Sequence, residues 1–297
     1  MTEAAATTAF FARIERFAAV GSTNDVVRGW LADGTPEVCA AIADVQTAGR
    51  GRLGRTWLAP AGAALLASVG FRPAWLAPDR TWRLAAVVAL AMSDAAEEVA
   101  GLPEGAVRLK WPNDLVIETT GPNALLIGEL TVAEAHARLA APVEVRKLAG
   151  ILGESDGLGT GDPRVVVGIG INAGWPAADF PPDLAATMTS LHEASGGRPI
   201  ETGDLWTEFA GRLEARVDAL RAGFFDIDTW ARRQATTGRD VVLGDPAAGV
   251  GATTRARALG VDAATGALVV EDATAASGER LVHAGEVLRI RLAPAEV

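Results

Sequence analysis

"AGRGRLGRTW", residues 48–57, decides between two folds. Gly49, Gly51 and Gly54 satisfy G-x-G-x-x-G, the dinucleotide fingerprint, and "VCAAIADVQ" (38–46) just ahead of them reads as a strand. A doubly wound nucleotide fold needs more than the glycines. A helix must open directly after them, and an acidic residue must follow about twenty positions on. Here Trp57 and Pro60 interrupt, and positions 45–78 hold no Asp or Glu. The stretch is therefore read as a glycine-hinged loop and not as a Rossmann turn.

Arg50, Arg52 and Arg55 fall within six positions of that loop, in a chain of formal net charge −10. Guanidinium forks present paired donors to phosphate or carboxylate oxygens, and glycine lets the backbone approach a ligand closely. The loop is a candidate anion-binding element; a merely solvated basic loop is the plainer alternative.

The other cations sharpen the contrast. Only two of them are lysine, Lys110 in "LKWPNDLVI" and Lys147 in "RKLAGIL". Lysine offers a compact, mobile ammonium where arginine offers a planar fork. Lys110 ends an expected strand, Pro112 fixes a turn, and Asn113 and Asp114 add an amide and a carboxylate. Such a set suits a triphosphate and its magnesium, with Asp114 reaching the metal directly or through water; Asn and Asp as simple turn formers is the bland reading. Lys147 opens a nearby strand, so both lysines are expected to face one site. Two weaker signals are the Ser22 and Thr23 hydroxyls of "GSTND", more often helix caps than ligand contacts, and Asn172 just past "GIGI".

Around these motifs the pattern alternates between strands and helices. A short amphipathic helix is expected from Asn24 through VVRGWLA, stopped by Gly34. A long buried helix is expected from Asp79, its N-cap, through the run ending at Leu102, followed by the strands "AVRLKW", "LAGILGE" and "RVVVGIGIN". Leu205, Phe209, Leu213, Val217 and Leu220 recur at helical steps, and "IDTWARRQ" makes a shorter helix. From Gly238 onward short alternating strands suggest a small all-β module, a barrel. Residues 119–146 form a connection too long for a simple hairpin, with a surface helix at "VAEAHARLAA".

Bulk properties set the class. The 297 residues, 49% of them hydrophobic, suffice for one large domain plus a small one. No apolar run spans a bilayer and the start "MTEAAATTAFFAR" lacks signal-peptide order, so a cytoplasmic protein with no membrane partner is expected. One cysteine, Cys39, and three scattered histidines argue against disulfides and structural zinc. The negative balance argues against a dedicated nucleic-acid binder.

Taken in order, "GSTN", Gln46 with "GRGRLGRTW", "KWPNDL", "KLAGIL" and "GIGIN" resemble the biotin protein ligase family, the biotin–acetyl-CoA-carboxylase ligases. The resemblance covers most of the chain. It implies a mixed-sheet α/β catalytic domain of the class II aminoacyl-tRNA synthetase and biotin ligase type, with helices on one side, over residues 1–236. An SH3-like barrel would follow at 237–297, and 119–146 would be an insertion. It further implies that ATP and Mg2+ serve as cofactors, that biotin is a substrate, and that a biotin carboxyl carrier domain is the partner.

By motif position, Ser22, Thr23, Asn24 and Gln46 would line the ureido end of biotin, with Arg50, Gly51 and Arg52 closing over the ligand. Arg52, Arg55, Trp57, Lys110, Asn113, Asp114 and Asn172 would contact the adenylate. Lys147, assisted by Arg52, would act between the biotin carboxylate and the α-phosphate. The family's repressor members carry a winged helix ahead of the catalytic domain; only about twenty residues come before Ser22 here, so no DNA partner is expected. A homodimer remains open. Lipoate or octanoate ligases and transferases share the fold by resemblance, and a non-catalytic biotin sensor is the alternative from another class.

Overall fold

The structure, a computed structural model, describes residues 10–128, 130–141, 143–244, 253–283 and 291–292. In chain order the first elements are β1 (Arg13–Phe17), α1 (Thr23–Ala32), β2 (Cys39–Ala43), β3 (Ala64–Phe71), α2 (Trp82–Ala100), β4 (Val107–Lys110) and β5 (Asp114–Glu118). They are followed by α3 (Val132–Ala140), β6 (Val145–Asp156), β7 (Arg164–Asn172), α4 (Leu191–Ala194), α5 (Thr202–Arg221) and α6 (Ile227–Arg232). The seven strands form one sheet in the order β1-β2-β3-β7-β6-β5-β4. Only β1 and β2 run parallel, so the sheet is mixed, as the sequence reading anticipates.

Period-two alternation gives the sheet two different faces. Along β7, Val165, Val167, Ile169 and Ile171 enter the main core with Leu84 and Val88 of α2 and with Leu205, Phe209, Leu213 and Val217 of α5. Each fully buried side chain of this size stabilises by roughly 1.5–3 kcal/mol, and these are what fix α2 and α5 on that face. The intervening Gly168, Gly170 and Asn172 line a cavity on the other face. Register sets Gly150 of β6 opposite Gly170, and Leu152 opposite Gly168.

The expectation of helices on one side holds for α2 and α5 but not for α1. Val27, Trp30 and Leu31 of α1 pack on Cys39, Ala41 and Val166, the residues alternate to those of the main core, so α1 covers the opposite face. Gly70 makes that approach feasible: a Cβ there would come 2.5 Å from Val27 Cγ1 and 2.8 Å from Cys39 Sγ.

Two strands lie outside the sequence expectations. β3 reads "ALLASVGF" and is buried at every position, so it shows no alternation; its bounds, Gly62 and Pro73, were its only signal. β1, "RIERF", is a charged strand at the sheet edge. The α2 cap also differs. Asp79 lies inside a 3-10 turn, Pro78–Arg80, and Thr81 occupies the N-cap position ahead of Trp82. Proline fixes the first residue of that tight turn and so consumes Asp79 before the helix begins.

In the 119–146 connection α3 is closed by a capping box between Thr131 and Glu134 and buries none of its residues. Glu129 and Pro142 of that connection lie outside the described residues.

The C-terminal strands are β8 (Arg239–Gly244), β9 (Thr253–Val261), β10 (Leu268–Glu271), β11 (Glu279–Val282) and β12 (Arg291–Leu292), paired antiparallel in the order β11-β10-β9-β8-β12. Residues 245–252, 284–290 and 293–297 of the expected barrel lie outside the described residues. The core of this sheet, Val241, Leu243, Ala258, Leu268 and Val270, includes Trp111 from the turn between β4 and β5. Trp111 Nε1 donates to the Gly266 carbonyl at 2.9 Å, and Arg239 of β8 donates to both carboxylate oxygens of Glu118 on β5 at 3.0 and 2.9 Å, so the two sheets are tied by more than one contact. No described helix is long and apolar enough to cross a membrane.

Candidate active site

The cavity on the glycine face measures about 310 Å³. Its floor is the patch where Gly150, Gly168 and Gly170 leave the sheet without side chains, and two of these glycines are occupied from above by Trp57. A Cβ at Gly170 would come 2.6 Å from Trp57 Cε2, and one at Gly150 would come 3.2 Å from Cζ3. Lys147 Nζ stands 5.6 Å from the Trp57 ring centroid.

At one end of the cavity α1 begins. Ser22 holds the N-cap backbone position without making a side-chain cap bond, and it lines the cavity instead. Gln46 Oε1 accepts from the Thr23 amide at 2.8 Å and from its hydroxyl at 3.1 Å. Ser68, fully buried on β3, lies 2.7 Å from Thr23 Oγ1 and 2.6 Å from Asn24 Oδ1. Asn24 Nδ2 donates to Glu154 Oε2 at 3.0 Å. Gln46, Thr23, Ser68, Asn24 and Glu154 thus fix one another at the inner end.

The arginine-glycine loop lines the cavity as well. Its glycines lead into a single 3-10 turn, Arg52–Gly54, with Leu53 and Gly54 in the left-handed region at φ 59° and 71°, and then into extended chain. No α-helix follows, which agrees with rejecting the dinucleotide reading. Arg50 does not reach for an external anion: its two terminal nitrogens donate to Asp25 at 2.6 and 2.8 Å, and one also to Glu154 at 3.4 Å. That paired bond holds the Asp25 carboxyl below its ordinary range and raises Arg50. Arg52 differs. Burial pulls its guanidinium below the usual arginine range, opposed by Asp114, and its Nη1 donates to Asn113 Oδ1 at 3.4 Å. Arginine remains charged through such a shift, so Arg52 is a half-buried cation, beside which an anion is favoured.

At the other end Lys147 Nζ donates to Asp114 Oδ1 at 2.5 Å. The Lys147 backbone pairs with the 187–189 segment, donating to the Thr187 carbonyl at 2.7 Å and accepting from the Thr189 amide at 2.8 Å. Asn113 Nδ2 donates to the Ile151 carbonyl, and buried Asn172 donates to the Thr189 carbonyl at 2.8 Å.

Of the residues singled out from the sequence, Ser22, Thr23, Asn24, Gln46, Arg50 and Gly51 line this cavity, as do Arg52, Arg55, Trp57, Asn113, Asp114, Lys147 and Asn172. Lys110 does not. It lines an adjoining cavity that shares Arg52, Asn113 and Asp114 as a common wall, so the two lysines face neighbouring spaces and not one. The sequence reading missed Ser68, Asp25, Glu154 and the glycine floor. Ser68 was marked only as the lone hydroxyl in an apolar run, and the floor only as the period-two glycines of "GIGIN".

A mixed sheet with a glycine floor, a basic loop and an inner polar end makes a cavity suited to a small ligand that carries an anionic group. The family model described as the Biotin/lipoate A/B protein ligase family matches residues 17–172, and the chain belongs to that family. The chain is 30% identical over 239 residues to the biotin–acetyl-CoA-carboxylase ligase of Mycobacterium tuberculosis, a match covering 77% of each chain. It is 29% identical over 184 residues to the bifunctional ligase/repressor BirA of Bacillus spizizenii, covering 62% of this chain and 47% of that one. The chain thus spans about half the length of the Bacillus relative. Biotin protein ligase from Aquifex aeolicus, solved in complex with biotin and ATP, superposes with a TM-score of 0.69 over 95% of this chain and 100% of that one. At 22% identity that likeness is one of fold.

Proposed function

We propose that the chain is a biotin protein ligase. It joins the carboxylate of biotin to the α-phosphate of ATP with loss of pyrophosphate, then passes the biotinyl group from AMP to a lysine amine of a biotin carboxyl carrier domain. One observation carries the reading: a polar end built on Thr23 and Gln46, a half-buried cation at Arg52 and the Lys147–Asp114 pair, far apart in sequence, line one cavity. The relatives named as biotin ligases favour biotin over lipoate.

In this reading the ureido group meets Ser22, Thr23, Asn24 and Gln46, where donors and acceptors already alternate. Lys147 stands between the two reacting groups. When the carboxylate attacks phosphorus, charge grows on the equatorial oxygens, and one mobile ammonium follows both reactants. Arg52, Arg55, Trp57, Asn113 and Asn172 hold the nucleotide, with Lys110 reaching it from the adjoining wall. Closure of the 48–57 loop excludes water from the hydrolysable acyl-adenylate.

Magnesium fits the donors here. Among the described residues no group of three or more His, Cys, Asp or Glu forms a cage, and magnesium commonly takes one or two carboxylates plus phosphates and water. Asp114 would hold it, and the ion would neutralise the leaving pyrophosphate. We further read residues 1–236 as the catalytic domain and 237–297 as an SH3-like barrel.

The test is mass spectrometry of an apo carrier domain after incubation with the chain, magnesium-ATP and biotin, with lipoate in a parallel reaction. A mass gain of one biotin supports the ligase; a gain with lipoate alone moves the activity to the sister substrate, and no gain with either overturns the reading.

A further inference from the structure

The hydrogen bonds at the inner end of the first cavity have a direction, and it is set by Glu154 of β6. The Glu154 carboxylate is held by Arg28 at 2.6 Å and by Arg50 at 3.4 Å. A carboxylate can only accept, so the atom of Asn24 that meets its Oε2 at 3.0 Å is the Nδ2 donor. The Leu152 carbonyl, 3.5 Å from Nδ2, demands the same orientation. Turning the amide over would set Asn24 Oδ1 against both acceptors. The amide is also confined, because a Cβ at Gly168 would collide with it.

Asn24 Oδ1 therefore faces Ser68, and at 2.6 Å it takes the one hydrogen of that hydroxyl. Ser68 is then left with lone pairs only. The 2.7 Å contact between the Ser68 and Thr23 hydroxyls must accordingly draw its hydrogen from Thr23. Gln46 Oε1, which already accepts the Thr23 amide, lies 3.1 Å from Thr23 Oγ1 and shares that same hydrogen. However it is shared, the Thr23 hydroxyl keeps no hydrogen for a ligand, and Thr23 lines the cavity.

We propose that Glu154 is a specificity-determining positioning residue: through Asn24 and Ser68 it fixes the Thr23 hydroxyl as a pure acceptor. This end of the cavity then selects a ligand that carries an N–H and rejects an isostere with oxygen in that place. Glu154 does not itself line the cavity, so it acts only through the relay. A buried acceptor facing another acceptor is left unpaired, which makes such an end far more selective than an apolar one. That the N–H belongs to the ureido ring of biotin rests on the ligase reading; the polarity of Thr23 does not.

The probes are biotin and its cyclic-carbonate analogue, with ring oxygen in place of both ureido N–H groups, titrated by calorimetry into the full chain. Biotin is expected to bind the parent at least about 100-fold more tightly than the analogue. Glutamine at 154 can donate as well as accept, so in Glu154→Gln the Asn24 amide can turn and Thr23 can donate outward. The affinity ratio is then expected to fall at least about tenfold. A ratio near one in the parent would overturn the proposal whether or not the variant folds. So would an unchanged ratio in Glu154→Gln with both affinities lowered alike, the mark of a merely structural role; in both cases biotin stays the ligand. Absence of biotin binding would instead sink the ligase reading, and the relay is then read from Asn24 in the unliganded chain. Its Nδ2 hydrogens are expected to exchange with solvent at least about tenfold more slowly in the parent than in Glu154→Ala, and equal rates would overturn the relay.

Discussion

Lys147 Nζ and Asp114 Oδ1 stand 2.5 Å apart, bridging β6 and β5 at the bulge where their register slips between Leu115 and Val116. The ammonium is thus paired with the one carboxylate that the ligase reading assigns to magnesium, and in that reading substrate arrival divides the pair.

An arginine cannot make that exchange as freely, since its fork locks onto the carboxylate with two bonds. Lys147→Arg is expected to lower biotin-dependent exchange of pyrophosphate into ATP by roughly 10²–10³-fold. An unchanged exchange rate would remove Lys147 from the reaction.

Gly170→Ala should leave the core untouched, because position 170 faces away from α2 and α5. Its new methyl would meet Trp57 Cε2 at 2.6 Å. Biotin affinity measured by calorimetry is expected to drop at least about tenfold, with a stability cost of about 1–3 kcal/mol from overpacking. A variant that binds as the parent does would show that Trp57 is not held against the floor.

Ser68→Ala removes the hydroxyl shared by Thr23 and Asn24 in a fully buried setting. Chemical denaturation should show a loss of about 1–3 kcal/mol, the usual cost of stranding buried polar partners. Loss of less than a few tenths would mean that Thr23 and Asn24 re-pair without it.

The Arg50 tether has a defined pH range. Its bond to Asp25 holds that carboxyl below the ordinary 3.8. A depressed carboxylate contributes fully above its unfolded value and is lost as pH falls through the folded one, so the tether persists throughout the neutral range and releases only in acid. Carboxyl NMR should find Asp25 titrating below 3.8 in the parent and higher in Arg50→Ala; coincident titrations would dissolve the tether.

Cys39 offers a probe of folding. Burial pushes its thiol up to about 11 from an ordinary 9.0. Folding therefore favours the neutral thiol, a contribution complete below pH 9 and lost as pH rises towards 11. Iodoacetamide at pH 8 is expected to leave native Cys39 unmodified and to alkylate it in urea. Equal rates in the two states would falsify the burial.

Much of the site was legible because its parts are local. The loop glycines and arginines, the Lys110–Asp114 turn, Lys147 and Asn172 each sit at the end of a strand whose apolar run is visible in the letters. What escaped depends on partners distant along the chain. Arg50 reads as an anion receptor until Asp25 and Glu154, 25 and 104 residues away, take its donors. β3 escaped for another reason: a strand buried on both faces loses the alternation that would announce it. Lys110 was assigned to the same space as Lys147 because sequence proximity does not tell on which side of a turn a side chain emerges.

The two-sided strand "VVVGIGIN" keeps folding and recognition on separate letters. Odd positions 165–171 answer to the core, and even positions 168, 170 and 172 answer to whatever lies on the floor. A library confined to 150, 168 and 170 would vary the depth of the cavity while every residue facing α2 and α5 stays fixed. The shape of the cavity is thus open to change, in the laboratory or in evolution, on two paired strands, apart from the face that carries α2 and α5.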